Sequence, residues 1–423
     1  MTPAARSVQR TYLALTLLTT LAASFIWGVN TLFLLDAGLS NAEAFAANAF
    51  FAAGQVLFEI PTGVVADTRG RRFSFILGAA TLLVSTLLYL YMWQTSAPFI
   101  GWALASALLG LGFTFFSGAT EAWLVDALTA SGFKGNLETV FGRAQIVGGG
   151  AMLTGSVLGG VVAQLTDLGM PYIIRAALLG VTVVVAFIFM RDIGFTPDRS
   201  ANPVKAVRMV LSGAIDGGLR NRPVRWIMLA APFTTGVGFY AFYALQPYLL
   251  ELYGDPNAYG IAGLAAAIIA GAQIAGGTAI GWIRRWFRLR TDGMLVMGAI
   301  AVAALVLLGL MPFFGIAVAL LVVWALAGAI EEPIRRAYLN GLIPSQQRAT
   351  VLSFDSLIGS TGGVVIQPGL GRVADVWGYS ASYLVAGTIS ALSLPFILMA
   401  RGEGAASDPV LGGVDEVPEP PAA

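Results

Sequence analysis

Long runs of apolar residues alternate with short polar segments along most of the chain. A helix needs about 20 apolar residues to cross the ~30 Å hydrocarbon core of a bilayer, and about a dozen runs reach that length. The predicted spans, numbered 1 to 12 in chain order, cover residues 12–35, 43–66, 73–93, 98–124, 141–164, 172–190, 225–250, 259–283, 294–311, 315–341, 351–370 and 381–399. This pattern predicts an all-α integral membrane protein with twelve transmembrane helices.

A charged, Pro-containing stretch divides the twelve spans into two groups of six. The boundaries predict an N-terminal six-helix bundle over residues 1–190, a cytoplasmic linker over 191–224 and a C-terminal six-helix bundle over 225–401. Residues 402–423 are acidic and rich in Pro and Gly, a composition typical of a disordered tail. Span 1 is longer than the core of a signal peptide, so we expect it to be retained.

The distribution of Lys and Arg predicts the orientation in the membrane. If both termini are cytoplasmic, all 24 Lys and Arg residues except Arg175 and Arg372 lie at or near the cytoplasmic side. Cytoplasmic loops carry such an excess of positive charge. We therefore predict a multi-pass protein of the cytoplasmic membrane with both termini inside the cell.

The composition excludes several classes of function. Hydrophobic residues make up 57% of the chain and charged residues 11%, whereas soluble domains carry roughly 25% charged residues. The chain contains no Cys and no His, which excludes disulfides, thiol nucleophiles, the usual zinc sites and imidazole proton shuttles. Its net charge of +1 gives no reason to expect nucleic acid. We expect no enzyme, no metal and no cofactor beyond a proton gradient, whose protons would have to move on carboxylates.

The two halves of the chain show signs of an internal sequence repeat. The segment "TEAWLVDAL" at the end of span 4 aligns with "IRRAYLNGL" at the end of span 10, which sets Glu121 against Arg335. A repeat of six spans with the same topology implies an axis along the membrane normal and a site between the halves. This plan favours a transporter, because a channel would need a continuous polar stripe through the bilayer.

The segment "GVVADTRGRR" between spans 2 and 3 resembles the signature loop of the major facilitator superfamily. The matching residues are Gly63, Asp67, Gly70, Arg71 and Arg72. The resemblance implies the twelve-helix fold of that superfamily and an Asp67 that faces the N-terminus of span 11, held at the membrane face by the arginines. A helix dipole stabilises a carboxylate at that end, so we predict a cytoplasmic latch closed by Asp67. The alternative, a basic loop that sets topology, explains only the arginines.

Span 5 resembles, more weakly, a glycine motif associated with antiporters of this superfamily. The aligned residues are Gly142, Gly155, Ser156, Gly159 and Gly160. Ala151 stands where the motif has Gly, Ser156 stands where it has Pro, and the Arg that drug/proton antiporters carry in span 4 falls at Ser106. Small residues still permit close helix packing. The resemblance implies, by analogy, an efflux transporter similar to the drug/proton antiporters.

Ionisable residues within spans usually mark function, because burying one costs at least ~2.5 kcal/mol. The candidates for a proton-coupling or charge network are Glu59, Glu121, Arg143, Glu331, Arg335 and Asp355. Two pairs are either static ion pairs or coupling groups: Glu121–Arg143 and Arg335–Asp355. Glu59 either braces the latch or carries a proton. Asp126 is interpreted as interfacial and solvated.

Aromatic and amide side chains in spans 1, 2 and 7 are candidates for the wall of a substrate cavity. They are Asn30, Gln55, Phe239, Tyr240, Tyr243 and Gln246. In span 7 they share a helix face or lie beside it, and Pro247 can interrupt the helix there. Aromatic faces with few polar groups suit large, partly apolar or cationic solutes. The alternative is that these aromatics only pack against lipid or neighbouring helices.

Together these patterns predict a monomeric transporter that exports a small, amphiphilic organic solute by alternating access in exchange for protons. Uptake or facilitated diffusion of a metabolite is the alternative within the same class. A membrane sensor or scaffold without transport is the alternative from another class. The expected partners are a small-molecule substrate and the lipid bilayer, without nucleic acid.

Overall fold

A computed structural model describes residues 2–196, 207, 208, 212, 214–343 and 348–410. Within these residues the chain is helical, and its only β contact is an isolated bridge between Leu289 and Pro409. The helices of the first half are Pro3–Trp27 and Asn30–Asp36 (span 1), Asn41–Arg69 (span 2), Arg71–Thr95 (span 3), Phe99–Thr114 and Ala119–Ala130 (span 4), Leu137–Leu165 (span 5) and Met170–Phe189 (span 6). Those of the second half are Arg222–Tyr253 (span 7), Tyr259–Ile283 (span 8), Arg290–Leu310 (span 9), Phe314–Asn340 (span 10), and Arg348–Ala391 with Ser393–Gly402 (spans 11 and 12).

The helices of the described residues account for twelve membrane spans. Among the described residues, 10 helices are long and apolar enough to cross, and the bent pair that forms span 1 gives an eleventh. One of these helices, Thr350–Gly402, has 53 residues and would be about 80 Å long if it were straight. Its backbone turns at Gly378, where φ is 81° and ψ is 170°, so it contains spans 11 and 12. The predicted count of twelve spans is confirmed.

Spans 1 and 4 are broken, which the hydrophobic pattern did not predict. The two helices of span 1 meet at 50°, and a Cβ at Gly28 would lie 2.6 Å from Gly263 Cα in span 8. Span 4 is interrupted between Thr114 and Ala119, where Gly118 has a φ of 66°. Glycine allows both features because it has no Cβ.

The two six-helix bundles meet along two seams. Span 2 packs along span 11, and span 5 packs along span 8. Within each seam the two helices cross the membrane in opposite directions. The outer start of span 2 therefore lies beside the outer end of span 11, and their other two ends share the cytoplasmic side.

Small residues of span 5 allow close packing on two sides. At Gly155 and Gly159 a Cβ would overlap atoms of span 1, and at Gly160 it would lie 2.6 Å from a span 8 carbonyl oxygen. Ser156 is buried, and its Oγ has no hydrogen-bond partner in the described part of the chain. Gly142 differs, because a Cβ there would meet no atom within 4 Å. Close packing is therefore restricted to the second half of the predicted motif.

Residues 403–410, which belong to the predicted disordered tail over 402–423, include a segment that packs against the start of span 9. Thr291 donates from its N and Oγ1 to the two carboxylate oxygens of Asp408, at 2.8 and 2.7 Å. Asp408 is buried and caps the N-terminus of span 9, where the unpaired N–H groups and the helix dipole favour a carboxylate. Residues 411–423 lie outside the described residues.

The predicted linker over 191–224 is described only in part. Near its start, Asp192 Oδ1 accepts a hydrogen bond from Arg72 N at 2.9 Å and ties the linker to the N-terminal bundle. Near its end, a π-helix, Ala214–Leu219, precedes span 7. Residues 197–206, 209–211 and 213 lie outside the described residues.

Candidate functional site

A cavity of about 590 Å³ lies within the N-terminal bundle, between spans 1, 3, 4 and 6. Its wall is mostly apolar, with hydroxyl groups from spans 1 and 4. Span 1 contributes one helix face, with residues three or four positions apart: Tyr12, Thr16, Thr19, Ala23 and Trp27. At 1.5 Å per residue, this face extends about 22 Å along the helix. The break in span 4 adds Ser117 and Gly118 to the wall.

Two of the predicted carboxylates are associated with this cavity. Glu121 lies in the wall with an exposed side chain and interacts electrostatically with Tyr12. The Glu59 carboxylate interacts with the hydroxyl of Ser117, which also lines the cavity. The predicted Glu121–Arg143 ion pair is not formed among the described residues. The reason is that the second helix of span 4 packs against spans 1 and 3 rather than span 5.

Arg175 is the wall residue that the sequence analysis missed. The charge distribution placed it near the outer surface, but its side chain is only 2% exposed and lines the cavity. Its Nε donates to Thr86 Oγ1 at 3.0 Å and its Nη1 donates to Ala22 O at 3.3 Å. The sequence feature that could have indicated its role is that Arg175 is one of only two Lys or Arg residues placed away from the cytoplasmic side.

Three tyrosines influence the Arg175 guanidinium electrostatically. Tyr89, Tyr172 and Tyr243 all interact with it electrostatically, and Tyr243, from span 7, belongs to the predicted cavity set. The Tyr172 hydroxyl donates to Asn30 Oδ1 at 3.0 Å. Asn30, another predicted wall residue, is therefore buried behind the tyrosines and orients one of them.

Two other predicted wall residues, Tyr240 and Gln246, are fully buried and do not line this cavity. Gln246 bridges the break in span 1: its Oε1 accepts from Thr31 N at 2.8 Å and its Nε2 donates to Trp27 O at 2.6 Å. The Tyr240 hydroxyl hydrogen-bonds to Ser382. Gln246 is therefore held at the contact between the two bundles, whereas the Tyr240 hydroxyl is bonded within the C-terminal bundle.

Gln55 and Phe239 lie where helices approach closely. A Cβ at Gly110 of span 4 would be 2.9 Å from Gln55 N. A Cβ at Gly363 of span 11 would be 2.8 Å from the Phe239 ring. Both side chains are half-buried, and neither belongs to the wall of the N-terminal cavity.

Hydrogen bonds between the two halves lie at the outer ends of the spans in the part of the chain that the structure describes. Asp375, at the end of span 11, accepts from Asn41 N at 2.9 Å and from Ala42 N at 3.0 Å, in the first turn of span 2. Gly260 N of span 8 donates to Gln164 Oε1 of span 5 at 2.9 Å. We refer to these bonds, together with those across the break in span 1, as the outer seal.

The predicted cytoplasmic latch is open in this conformation. Asp67 is exposed, and it makes no hydrogen bond or ion pair among the described residues. A Cβ at Gly63 would meet no atom within 4 Å. The bundles are joined at the outer seal and parted at this loop.

The arginines of the signature loop bind their own bundle rather than Asp67. Arg71 Nη1 lies 2.5 Å from Asp126 Oδ2 at the end of span 4, so Asp126, predicted to be interfacial and solvated, is 34% exposed and also paired with an arginine. Arg72 Nη2 donates to a span 6 carbonyl at 2.6 Å. Gly70, with a φ of 106°, makes the turn between spans 2 and 3. The loop is anchored to spans 4 and 6, which leaves Asp67 free to meet the other half.

A second group of charges lies in the C-terminal bundle. Arg335 Nη2 is 2.5 Å from Asp355 Oδ1, and their side chains are 15% and 7% exposed. Glu331, one turn before Arg335, interacts with it electrostatically. Glu332 and Arg336 form an exposed pair at 2.5 Å. The structure thus brings together the Arg335–Asp355 pair that the sequence predicted, and this pair joins spans 10 and 11.

Comparison with known proteins identifies the family. Residues 12–310 match the sequence profile of the Major Facilitator Superfamily. The chain belongs to this superfamily. An uncharacterized MFS-type transporter of Methanocaldococcus jannaschii is 24% identical over 232 residues, which are 54% of this chain and 57% of that protein. The match therefore spans a little over half of that relative's length.

Solved structures of the superfamily share the fold. A nucleoside transporter superposes with a TM-score of 0.77 at 13% identity, over 93% of this chain and 99% of that one. A bacterial homologue of the human lysosomal transporter Spinster, in an inward-facing and occupied conformation, has a TM-score of 0.72 at 16% identity, over 95% and 98% of the chains. Family and fold identify the chain as a multi-pass membrane protein of this superfamily, and identities this low carry no information about a solute.

Proposed function

We propose that this superfamily member exports a small organic solute from the cytoplasm in exchange for protons. The observation that carries the proposal is a cavity with a carboxylate in its wall, in a chain whose outer side is sealed and whose signature loop is open. Glu121 is exposed in that wall. In the absence of His, a carboxylate is the group that can exchange a proton there.

The transport cycle follows from the two gates. Solute enters the cavity from the cytoplasmic side while the outer seal is intact. Release outside requires that the hydrogen bonds of the outer seal break and that the bundles close at the cytoplasmic side, where Asp67 meets the N-terminus of span 11. Protonation of Glu121 from the outer side and its deprotonation toward the cytoplasm couple this exchange to the proton gradient.

The test is proton-coupled flux in proteoliposomes. Organic solutes that stabilise the purified protein in a thermal-shift screen are loaded into vesicles that contain a pH-sensitive dye. Glu121→Gln is expected to abolish flux driven by a pH gradient while leaving solute exchange without a gradient measurable. Glu59→Gln is expected to act in the same direction, because its carboxylate contacts the cavity wall. Asp255→Asn, an exposed carboxylate of the outer loop before span 8, is the matched control and is expected to behave like the parent.

The outcome separates the alternatives. Full proton-coupled flux in both Gln variants would contradict carboxylate coupling at these positions. Solute flux that never moves protons would indicate facilitated diffusion, and cotransport in the same direction as protons would indicate uptake. Absence of any flux with every stabilising solute would favour a sensor or scaffold.

A further inference from the structure

Arg175 is a buried cation without an acidic partner. Its side chain is 2% exposed, and its two hydrogen-bond acceptors, Thr86 Oγ1 and Ala22 O, are neutral. No carboxylate lies within ion-pair distance of it among the described residues. Burial of an uncompensated charge is costly, so such groups are normally paired. An arginine kept charged and unpaired here has capacity for an anion.

Glu121, which lines the same cavity, does not neutralise this charge. It interacts with Tyr12, ten positions before Ala22 on span 1. At 1.5 Å per residue, the span 1 positions with which the two charged side chains interact are about 15 Å apart along that helix. The cavity therefore has a negative group in its cytoplasmic half and a positive group at its deeper end.

The surroundings of Arg175 suit an organic anion. The phenols of Tyr89, Tyr172 and Tyr243 interact with Arg175 electrostatically but do not line the cavity. The aromatic side chains that do line the cavity include Trp27, Phe113 and Phe116. Tyr243 belongs to the C-terminal half, so the electrostatic environment of the guanidinium includes residues of both halves. A guanidinium presents parallel N–H donors that match the two oxygens of a carboxylate or phosphate, while aromatic walls accommodate an apolar body.

We infer that Arg175 is the anion-binding group of the cavity and that the transported solute carries a carboxylate or another oxyanion on an apolar or aromatic body. This inference rests on the proposed function, because it takes the cavity to be the path of the solute. Of the large, partly apolar or cationic solutes expected from the aromatic residues of span 7, it keeps the partly apolar body and replaces the cationic group by an anionic one. Thr86 and Ala22 hold the guanidinium in position, and the solute completes its charge pairing.

The test uses three probes with the same nitrophenyl body and a negative, a neutral or a positive substituent: 4-nitrobenzoate, 4-nitrobenzyl alcohol and 4-nitrobenzylamine. Nitroaryl groups quench tryptophan fluorescence, and Trp27 is the reporter, with Trp27→Phe as the control that loses the cavity signal. Nanodiscs of phosphatidylcholine exclude anionic lipid as the source of the bound anion. The parent is expected to bind the anion about tenfold or more tightly than the alcohol, as for a charge-assisted hydrogen bond in a buried site.

Arg175→Gln is expected to lose this preference while its affinity for the alcohol stays unchanged. Arg285→Gln removes one positive charge from the exposed loop after span 8 and is expected to bind all three probes like the parent. If Arg175→Gln does not fold, two other measurements test the role of Arg175. The parent is expected to bind the anion more tightly than the alcohol, and Arg175→Lys, which keeps the positive charge, is expected to retain that preference.

A parent that binds the anion no more tightly than the alcohol overturns the inference, as does an unchanged preference in a folded Arg175→Gln. Flux measured with the same probes separates this result from the proposed function. A preference for the anion without any flux would support the anion-binding site and contradict the proposed transport function. Flux without a preference for the anion would support transport and contradict the proposed role of Arg175.

Discussion

Asp375→Asn is expected to loosen the outer seal and shift the protein toward conformations that open outward. Asp375 satisfies the N–H groups of Asn41 and Ala42 at 2.9 and 3.0 Å. The next N–H, that of Glu43, is already capped by Ser40 within span 2. The Asp375 carboxylate therefore binds the free donors of this helix terminus from the opposite half of the molecule.

The magnitude follows from this geometry. A carboxylate at a helix N-terminus contributes roughly 0.3–1 kcal/mol, rising toward ~2 kcal/mol when it is partly buried, and Asp375 is half-buried. Asn keeps one acceptor oxygen but loses the charge, so we expect a loss of about 1–2 kcal/mol. Because the interaction exists only while the seal is closed, the ratio of sealed to open molecules should fall about 5- to 30-fold.

The assay is the distribution of distances between spin labels on the outer side. The chain has no Cys, so Gln94→Cys after span 3 and Pro312→Cys before span 10 can be labelled without altering other positions. Asp167→Asn is the matched control, because Asp167 Oδ1 accepts from Gly169 N and Met170 N at the start of span 6 within one bundle. A longer-distance population should appear with Asp375→Asn but not with Asp167→Asn. Identical distributions in the parent and both variants would refute the assignment of Asp375 to the seal.

Three further predictions concern the other contacts. Asp67→Asn should shift populations several-fold toward the conformation described here. Gly63→Leu should block cytoplasmic closure without unfolding the protein, because its side chain enters open space. Distances between spin labels on the cytoplasmic loops after spans 2 and 10 measure both effects, and unchanged distances would reduce the loop to a topology signal. Removing either Arg335 or Asp355 should cost about 3–5 kcal/mol of stability because the other charge is left buried, and additive effects in a double-mutant cycle would contradict their pairing. Asp408→Ala should lower stability by about 0.5–2 kcal/mol through loss of the span 9 cap, and a melting temperature equal to that of the parent would show that the cap contributes nothing.

The parts of the molecule that depend on local sequence could be predicted. Hydropathy over about 20 residues fixes a membrane span regardless of its neighbours, so the twelve spans follow from the sequence pattern. Arg335 and Asp355 could be paired because the start of span 11 follows closely after the end of span 10. The small residues Gly155, Gly159 and Gly160 indicated close packing because only small side chains admit it.

The contacts that define the gates and the cavity could not be predicted in this way. Asp375 is 334 residues from Asn41, and Asp408 is 117 residues from Thr291, so no local pattern links the partners. Arg175 lies near the outer end of the apolar run of span 6. Sequence alone does not tell whether a side chain at that position reaches water or the interior of the bundle. Its burial depends on how span 6 packs against spans 1 and 3.

The central claim, a cavity that opens to one side of the membrane at a time, is tested most directly by the accessibility of Thr20→Cys. Thr20 lines the cavity, and the substituted cysteine would be the only one in the chain. A membrane-impermeant maleimide, added to oriented vesicles, should label it from the cytoplasmic side and not from the outer side. The control Gln94→Cys, at the outer end of span 3, should be labelled from the outer side only. Labelling of Thr20→Cys only from the outer side, equally from both sides, or from neither would contradict the account.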